Sequence, residues 1–305
     1  MQCDTCRREA LIFQPYSGKH LCPAHFFKDF EAKAKRTIRS HGWLRPGDHI
    51  AVALSGDAAC AALLVFLKNL IQNRRDIRLS AITIYEGTAG FSGPEQARKI
   101  VDACGVEWFC GSFAERYGTT RDAIVQQDGP TAGGSACRVL RKDLIGEIAE
   151  THGVTRCAFA TTVDESAEVF FSGLLAGTIG CTLSSSGATG KTSIPAIRPF
   201  MEIPAPEVIR YAELHPECAG GDILPPCPSP AGSDSQKTDA RAALDAYDRR
   251  HPATKFALAN LAGTLAGIAA VQGPPPSCPE CGEPITRGEC EACSIRRKYN
   301  RGAVS

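Results

Sequence analysis

Phe26, Phe27, Phe30, Ala34 and Ile38 recur at helical intervals, with Lys28, Lys33, Lys35, Arg36 and Arg39 filling the positions between them. That spacing predicts a helix with one apolar stripe and a basic outer face. The turn Arg45-Pro46-Gly47-Asp48 closes it, and His49 to Leu54 follows as a short, almost continuous apolar run, the pattern of a buried strand. Ser55-Gly56-Asp57 breaks that run, and Ala58 to Ile71 returns to helical spacing. The same order then repeats. Leu79–Tyr85 reads as a strand and Pro94–Cys104 as a helix; Val106–Cys110 as a strand and Ala136–His152 as a helix; Val154–Ala160 as a strand and Asp164–Leu175 as a helix. Alternation of this kind predicts an α/β fold, a parallel sheet with helices on both faces. Ligands of such sheets bind beyond the carboxyl ends of the strands, so the loops after Leu54, Tyr85 and Ala160 are the places to look for chemistry.

Two stretches rich in Gly, Pro and Ser, Gln127–Ser135 and Ala219–Ser235, are predicted to be mobile loops, and each lies beside a cysteine. Phe256 to Val271 is apolar but shorter than the ~18–20 residues of a membrane span. It carries Asn260 and two glycines and reads as a buried or surface-packed helix, so no membrane association is expected. The segment Gly273-Pro-Pro-Pro-Ser277 reads as a linker. Three units are expected: residues 1–27, a core over 28–272, and a tail over 273–305.

Charge narrows the partners. With 34 basic and 33 acidic residues the chain is no polycation, so any RNA contact must use a local patch. Lys28 to Arg39 and Arg296, Arg297, Lys298 and Arg301 are candidates, against the plainer reading of solvated surface. The start Met-Gln-Cys-Asp-Thr-Cys lacks a secretory pattern, which makes a cytoplasmic setting the expectation. In that reducing setting the 15 cysteines point to metal and thiol chemistry rather than disulfides.

Their spacing is specific. Cys278-x2-Cys281-x8-Cys290-x2-Cys293 supplies four thiolates in two knuckles, and Cys3-x2-Cys6-x15-Cys22-x2-His25 supplies three thiolates and an imidazole. Sets of four such ligands suit tetrahedral zinc and leave no open position, so two structural Zn²⁺ ions are expected. His20 competes with His25 as the fourth N-terminal ligand, and the two-residue gap after Cys22 favours His25.

Further motifs follow in a fixed order. They are Ala53-Leu54-Ser55-Gly56-Asp57, Glu86-Gly87, Ser135-Ala136-Cys137-Arg138-Val139-Leu140-Arg141-Lys142 and Val163-Asp164-Glu165-Ser166-Ala167. After these come Ile194-Pro195 with Arg198-Pro199, Glu207 to Ala212, Cys227-Pro228, and Pro252-Ala-Thr254-Lys255-Phe256. Together with the paired metal modules this order resembles the TtuA-like branch of the tRNA 2-thiolation enzymes, in the TtcA/TtuA group of the PP-loop ATPases. The likeness runs nearly end to end and implies a fold of the PP-loop, adenine nucleotide alpha hydrolase-like kind.

The resemblance implies transfer of sulfur to a tRNA uridine. ATP, with Mg²⁺, adenylates the C2 oxygen as pyrophosphate leaves. Sulfur from a ubiquitin-like carrier's thiocarboxylate or a persulfide then displaces AMP. Carried over residue by residue, Ala53, Ser55, Gly56, Ile84 and Ala160 would line the nucleotide, Arg141 would face phosphate, and Asp164 would be the essential acid. Cys137 and Cys227 would handle sulfur. The chain departs from the pattern in the loop itself, where the family's Ser-Gly-Gly-Lys-Asp-Ser is Ser55-Gly56-Asp57-Ala58-Ala59-Cys60. Gly134 stands at the first of three cluster cysteines, so an iron–sulfur cluster held by three cysteines is not expected unless another thiol, such as Cys60, Cys110, Cys157, Cys181 or Cys218, supplies the third. Three readings stay open: a divergent, ATP-dependent tRNA sulfurtransferase; an inactive paralogue binding tRNA or a partner; and a zinc-stabilised nucleotide-binding protein with another substrate. A homodimer is neither required nor excluded by the sequence.

Overall fold

The computed structural model describes residues 1–177, 194–218, 235–272, 278–282, 285 and 290–299. A hairpin of β1 (Ile12–Gln14) and β2 (Lys19–Leu21) leads into α1 (Pro23–His41), which begins on a proline and ends on Gly42 in the left-handed region at φ 60°. There follow β3 (His49–Ala53), α2 (Ala58–Ile71), β4 (Arg78–Tyr85), α3 (Gly93–Cys104), β5 (Glu107–Ser112), α4 (Phe113–Tyr117), α5 (Arg121–Thr151), β6 (Arg156–Ala158) and α6 (Val163–Leu175). Then come β7 (Ala196–Ile197), α7 (Ala205–Glu213), α8 (Ser235–Asp248), α9 (Thr254–Gln272) and α10 (Glu291–Tyr299).

The larger sheet has five parallel strands in the order β5-β4-β3-β6-β7. The chain winds outward from β3 to β5 and then returns to the other side of β3 with β6. That reversal between β3 and β6 splays the connections apart and opens a crevice beyond their carboxyl ends. β3 is apolar without alternation because both faces are covered. On one face α2, α1 and α7 bury Phe30, Phe66, Phe200 and Tyr211, with the Phe30 and Tyr211 rings stacked at 4.1 Å. On the other, α5 lays Leu144, Ile145 and Ile148 over β4 and β5.

The segment Gln127–Ser135 is not a loop. It lies inside α5, which bends at Gly129 (φ 79°) and resumes at Pro130. Glycine absorbs the bend, and proline is at ease where a helical segment restarts. Gly133 then lets this turn pack tightly, since a Cβ there would lie 2.9 Å from the Val125 Cα. Most of Ala219–Ser235, including Cys227, lies outside the described residues, as does Gly273–Ser277. Phe256–Val271 falls within α9, and among the described residues no helix is long and apolar enough to cross a membrane.

Candidate active-site cleft and metal centres

Cys22 ends the β1–β2 hairpin at the N-cap of α1, and His25 occupies the first turn of that helix. The chain reversal before β1, with Arg7 at φ 61°, brings Cys3 and Cys6 to the same point. Cys6 Sγ lies 3.5 Å from Cys22 Sγ, and His25 Nδ1 lies 3.5 Å from Cys3 Sγ and 3.3 Å from Cys22 Sγ. At the other end Cys290 and Cys293 flank the start of α10, with Cys278–Cys293 and Cys281–Cys290 sulfur pairs each at 3.6 Å. These separations are far beyond a disulfide's ~2.05 Å. They match the edge of a tetrahedron with ~2.3 Å metal–sulfur bonds, about 3.7 Å. Each tetrad keeps its ligand atoms within 4.8 Å of one another, and both can bind a metal ion. The backbone N–H of Glu280, outweighing burial, and then that of Cys281 bring the Cys278 thiol down to about 7, toward the thiolate a metal needs. His20 is not part of the set: it faces Asp4 at 3.7 Å and packs on the Phe13 ring.

The crevice at the β3–β6 reversal is a cleft of about 920 Å³. Ala53, Ser55, Ile84, Ala160 and Arg141 all line it, so the sequence-predicted nucleotide positions converge there. Gly56 sits at the turn with φ +88°, and a Cβ on it would lie 2.0 Å from the Gly93 carbonyl oxygen. Only glycine fits between the loop and the start of α3.

Asp57 caps α2. Its Oδ1 accepts the Cys60 N–H at 2.9 Å, and its Oδ2 accepts the Ser55 hydroxyl at 2.6 Å. The start of a helix attracts anions through its unpaired N–H groups. Here the chain's own carboxylate takes that place, and Ala58 brings no positive charge. Cys60 lines the cleft as well; burial and then the Asp57 charge push its thiol well above the ordinary cysteine range.

The arginines of the cleft are unequal. Arg141 grips Glu86, its Nη2 at 3.0 Å and its Nε closer still, while Arg121 Nη1 stands 3.7 Å from the same carboxylate. Glu86 is only 10% exposed, so Arg141 neutralises a buried charge rather than standing free for a ligand. Arg241 lies 3.7 Å from Glu168. Arg138 lines the cleft from α5 and has no hydrogen-bond or ion-pair partner among the described residues. Glu165 closes a capping box with Thr162, and burial with the nearby Asp57 and Glu168 charges holds its carboxyl above the usual range, against the Thr162 N–H. Sequence reading passed over Arg138 and Glu165, although Thr162-x-x-Glu165 is a capping-box pattern.

Two predicted residues lie elsewhere. Asp164 is not in the cleft wall: its Oδ2 accepts the Ala205 N–H at 2.6 Å, and its Oδ1 meets Lys255 Nζ at 2.7 Å. Lys255 also holds Asp245 at 2.6 Å, so Asp164 ties α6, α7, α8 and α9 together. Cys137 is 2% exposed in a core with Tyr117, Leu140 and Tyr299, behind the cleft rather than in it. Among the described residues Cys60 is the one thiol lining the cleft, and Gly134 lines it where the resemblance calls for a cysteine. The described thiols alone therefore do not assemble three cluster ligands there.

Residues 2–27 match the family model described as the N-terminal LIM domain of 2-thiouridine synthetase TtuA. The chain is 26% identical over 325 residues to the tRNA 2-thiolation protein NcsA of Haloferax volcanii, covering 97% of this chain and 98% of that one. It is 28% identical over 312 residues to the cytoplasmic tRNA 2-thiolation protein 1 of Drosophila ananassae, covering 97% and 87%. Among solved structures, the U34-tRNA thiolase NcsA of Methanococcus maripaludis with its [4Fe-4S] cluster superposes with a TM-score of 0.80 at 21% identity, over 98% of this chain and 96% of that one. That protein's cluster gives no support to the expectation that a cluster is absent here.

Proposed function

We propose that this protein, a member of the TtuA/NcsA family of tRNA 2-thiolation proteins with the PP-loop ATPase fold, holds ATP in the β3–β6 cleft and uses it to activate a tRNA uridine for sulfur transfer. The observation that carries this reading is the convergence of Ala53, Ser55, Ile84 and Ala160 on one cleft at the topological reversal of the sheet. Main-chain groups at the ends of β3 and β4 suit an adenine, and the apolar side chains of Ala53 and Ile84 exclude water from its faces. The phosphates would lie along the α5 wall of the cleft, beside the arginine–Glu86 cluster. Both terminal tetrads hold zinc in this account, because four soft ligands on a tetrahedral edge suit that ion and leave no site for a reactant. The protein is cytoplasmic, and its sulfur comes either directly from a carrier thiocarboxylate or from a donor persulfide, whose outer sulfur passes to the Cys227 thiol as the donor leaves as a thiol.

A second reading has its own observation. The Asp57 carboxylate at the start of α2 repels a triphosphate unless a cation such as Mg²⁺ lies between them, and Cys137 is shut in the core. Such a chain would bind tRNA or an active partner without turnover. The test is 2-thiouridine content in tRNA from a strain lacking its own thiolase and complemented with this protein. Restoration of the modified base, and its loss with Cys227→Ser, supports the enzyme. Complementation that never restores the base, from a chain that expresses and still binds tRNA, supports the second reading.

A further inference from the structure

We infer that Arg138 is the anion-binding cation of the cleft, and that it takes nucleotide phosphates from the α5 side because the loop after β3 offers no positive charge. The inference rests on the nucleotide reading above and assigns a residue to it.

Thr131, Gly134, Ser135, Arg138, Arg141 and Ile145 all line the cleft, and their steps of one, three and four residues define a single face of α5. Helical side chains lean toward the N-terminus, so Arg138 reaches over the turn that carries Gly134 and Ser135. Both residues are small, and a Cβ on Gly134 would meet nothing within 4 Å. Open space therefore lies in front of a guanidinium, inside a cleft.

Charge then separates Arg138 from its neighbours. Arg141 and Arg121 share the Glu86 carboxylate, and Arg241 faces Glu168. Arg138 is the cleft arginine with no such partner among the described residues. Across the cleft, position 58 is alanine, and Asp57 occupies the start of α2 with its own negative charge. An anion entering this cleft is repelled at the loop and attracted at α5. The planar guanidinium suits two phosphate oxygens at once.

The experiment is calorimetry on the full-length, metal-loaded protein with three probes: ATP, adenosine and inorganic pyrophosphate. Arg138→Gln is expected to weaken ATP and pyrophosphate by about ten- to a hundredfold, the range for a hydrogen bond to a charged group, and to leave adenosine unchanged. Arg138→Lys should recover part of the loss. ATP affinity equal in wild type and Arg138→Gln would overturn the inference, as would an equal loss for ATP and adenosine. Pyrophosphate that binds through Arg138 in a protein deaf to ATP and adenosine would keep the anion site and discard the nucleotide reading. No binding of pyrophosphate or ATP by the wild type would discard both.

Discussion

Arg296 grips Asp143 through two hydrogen bonds, Nε at 2.6 Å and Nη2 at 2.8 Å, with both side chains buried. Arg296 stands three residues after Cys293 of the C-terminal tetrad on α10, and Asp143 stands on α5 about one and a half turns past Cys137 and Arg138. One turn further along α10, Tyr299 packs in the same core as Cys137, and its hydroxyl donates to Asp128 at 2.5 Å. The C-terminal cysteine tetrad is thus fastened to the helix that lines the cleft.

Breaking that fastening should expose Cys137. Removing one partner of a buried ion pair costs about 3–5 kcal/mol, because the other charge is left alone. Arg296→Gln is expected to release α10 from α5 and to make Cys137 available to a maleimide, read by mass spectrometry of the labelled peptide. Wild-type protein should leave that cysteine unlabelled. Equal protection in both would show that the pair does not hold α10 in place.

The Asp57 carboxylate is expected to oppose ATP in the absence of Mg²⁺. Asparagine is as good an N-cap as aspartate, so Asp57→Asn removes charge while keeping α2 capped. Free ATP should bind several-fold more tightly to the variant than to wild type when zinc-loaded protein is titrated without added Mg²⁺. Weaker binding would mean that the carboxylate helps rather than hinders.

The predicted order of strands and helices matches the structure because fully buried parallel strands and core-facing helices imprint their periods on the chain. Ala58–Ile71 even coincides with α2 residue for residue. The metal tetrads were visible for a different reason: knuckle spacing is local and needs no tertiary knowledge. What stayed hidden is non-local. Asp164 meets Lys255 across 91 residues, and no pattern around either announces the pair. Gln127–Ser135 misled by composition, since three glycines and a proline signal a loop, whereas here Gly129 makes the bend, Gly133 a close contact and Gly134 part of the cleft wall. β7, two residues long, is too short for a periodic signal.

Acid should loosen the sheet at a definite place. Asp48 is buried beneath β3, and burial alone would raise its carboxyl; the Arg156 guanidinium at 2.8 Å, the Arg45 N–H and the Thr155 hydroxyl more than reverse this, leaving it below the usual range. A depressed carboxyl stabilises the fold above its unfolded value of about 4, and that contribution disappears as pH falls through the lower, folded value. Asp48→Asn is therefore expected to cost about 3–5 kcal/mol at neutral pH. Its denaturant midpoint should respond less than wild type to acid below about pH 4. Parallel acid titrations of the two proteins would refute the assignment.

Metal removal should act unequally at the two ends. His25 lies in the first turn of α1, and the next residues along its inner face, Phe26 and Phe30, are fully buried in the main core. Among the described residues the C-terminal tetrad packs against Val139 of α5 and is continuous with α10. Stripping the N-terminal site should lower the thermal midpoint of the whole protein, while Cys290→Ser should mainly free the tail. Metal analysis of protein purified without oxygen is expected to find two zinc ions per chain, and labile sulfide in the same sample reports any iron–sulfur cluster.

The central claim is that the β3–β6 cleft accepts a nucleotide despite its altered loop. Calorimetric titration of metal-loaded protein with ATP and Mg²⁺ tests it most directly. The account predicts saturable binding at one site per chain, abolished by Gly56→Val, which drives a side chain into the Gly93 carbonyl. A flat titration from folded protein with both metal sites filled would contradict it.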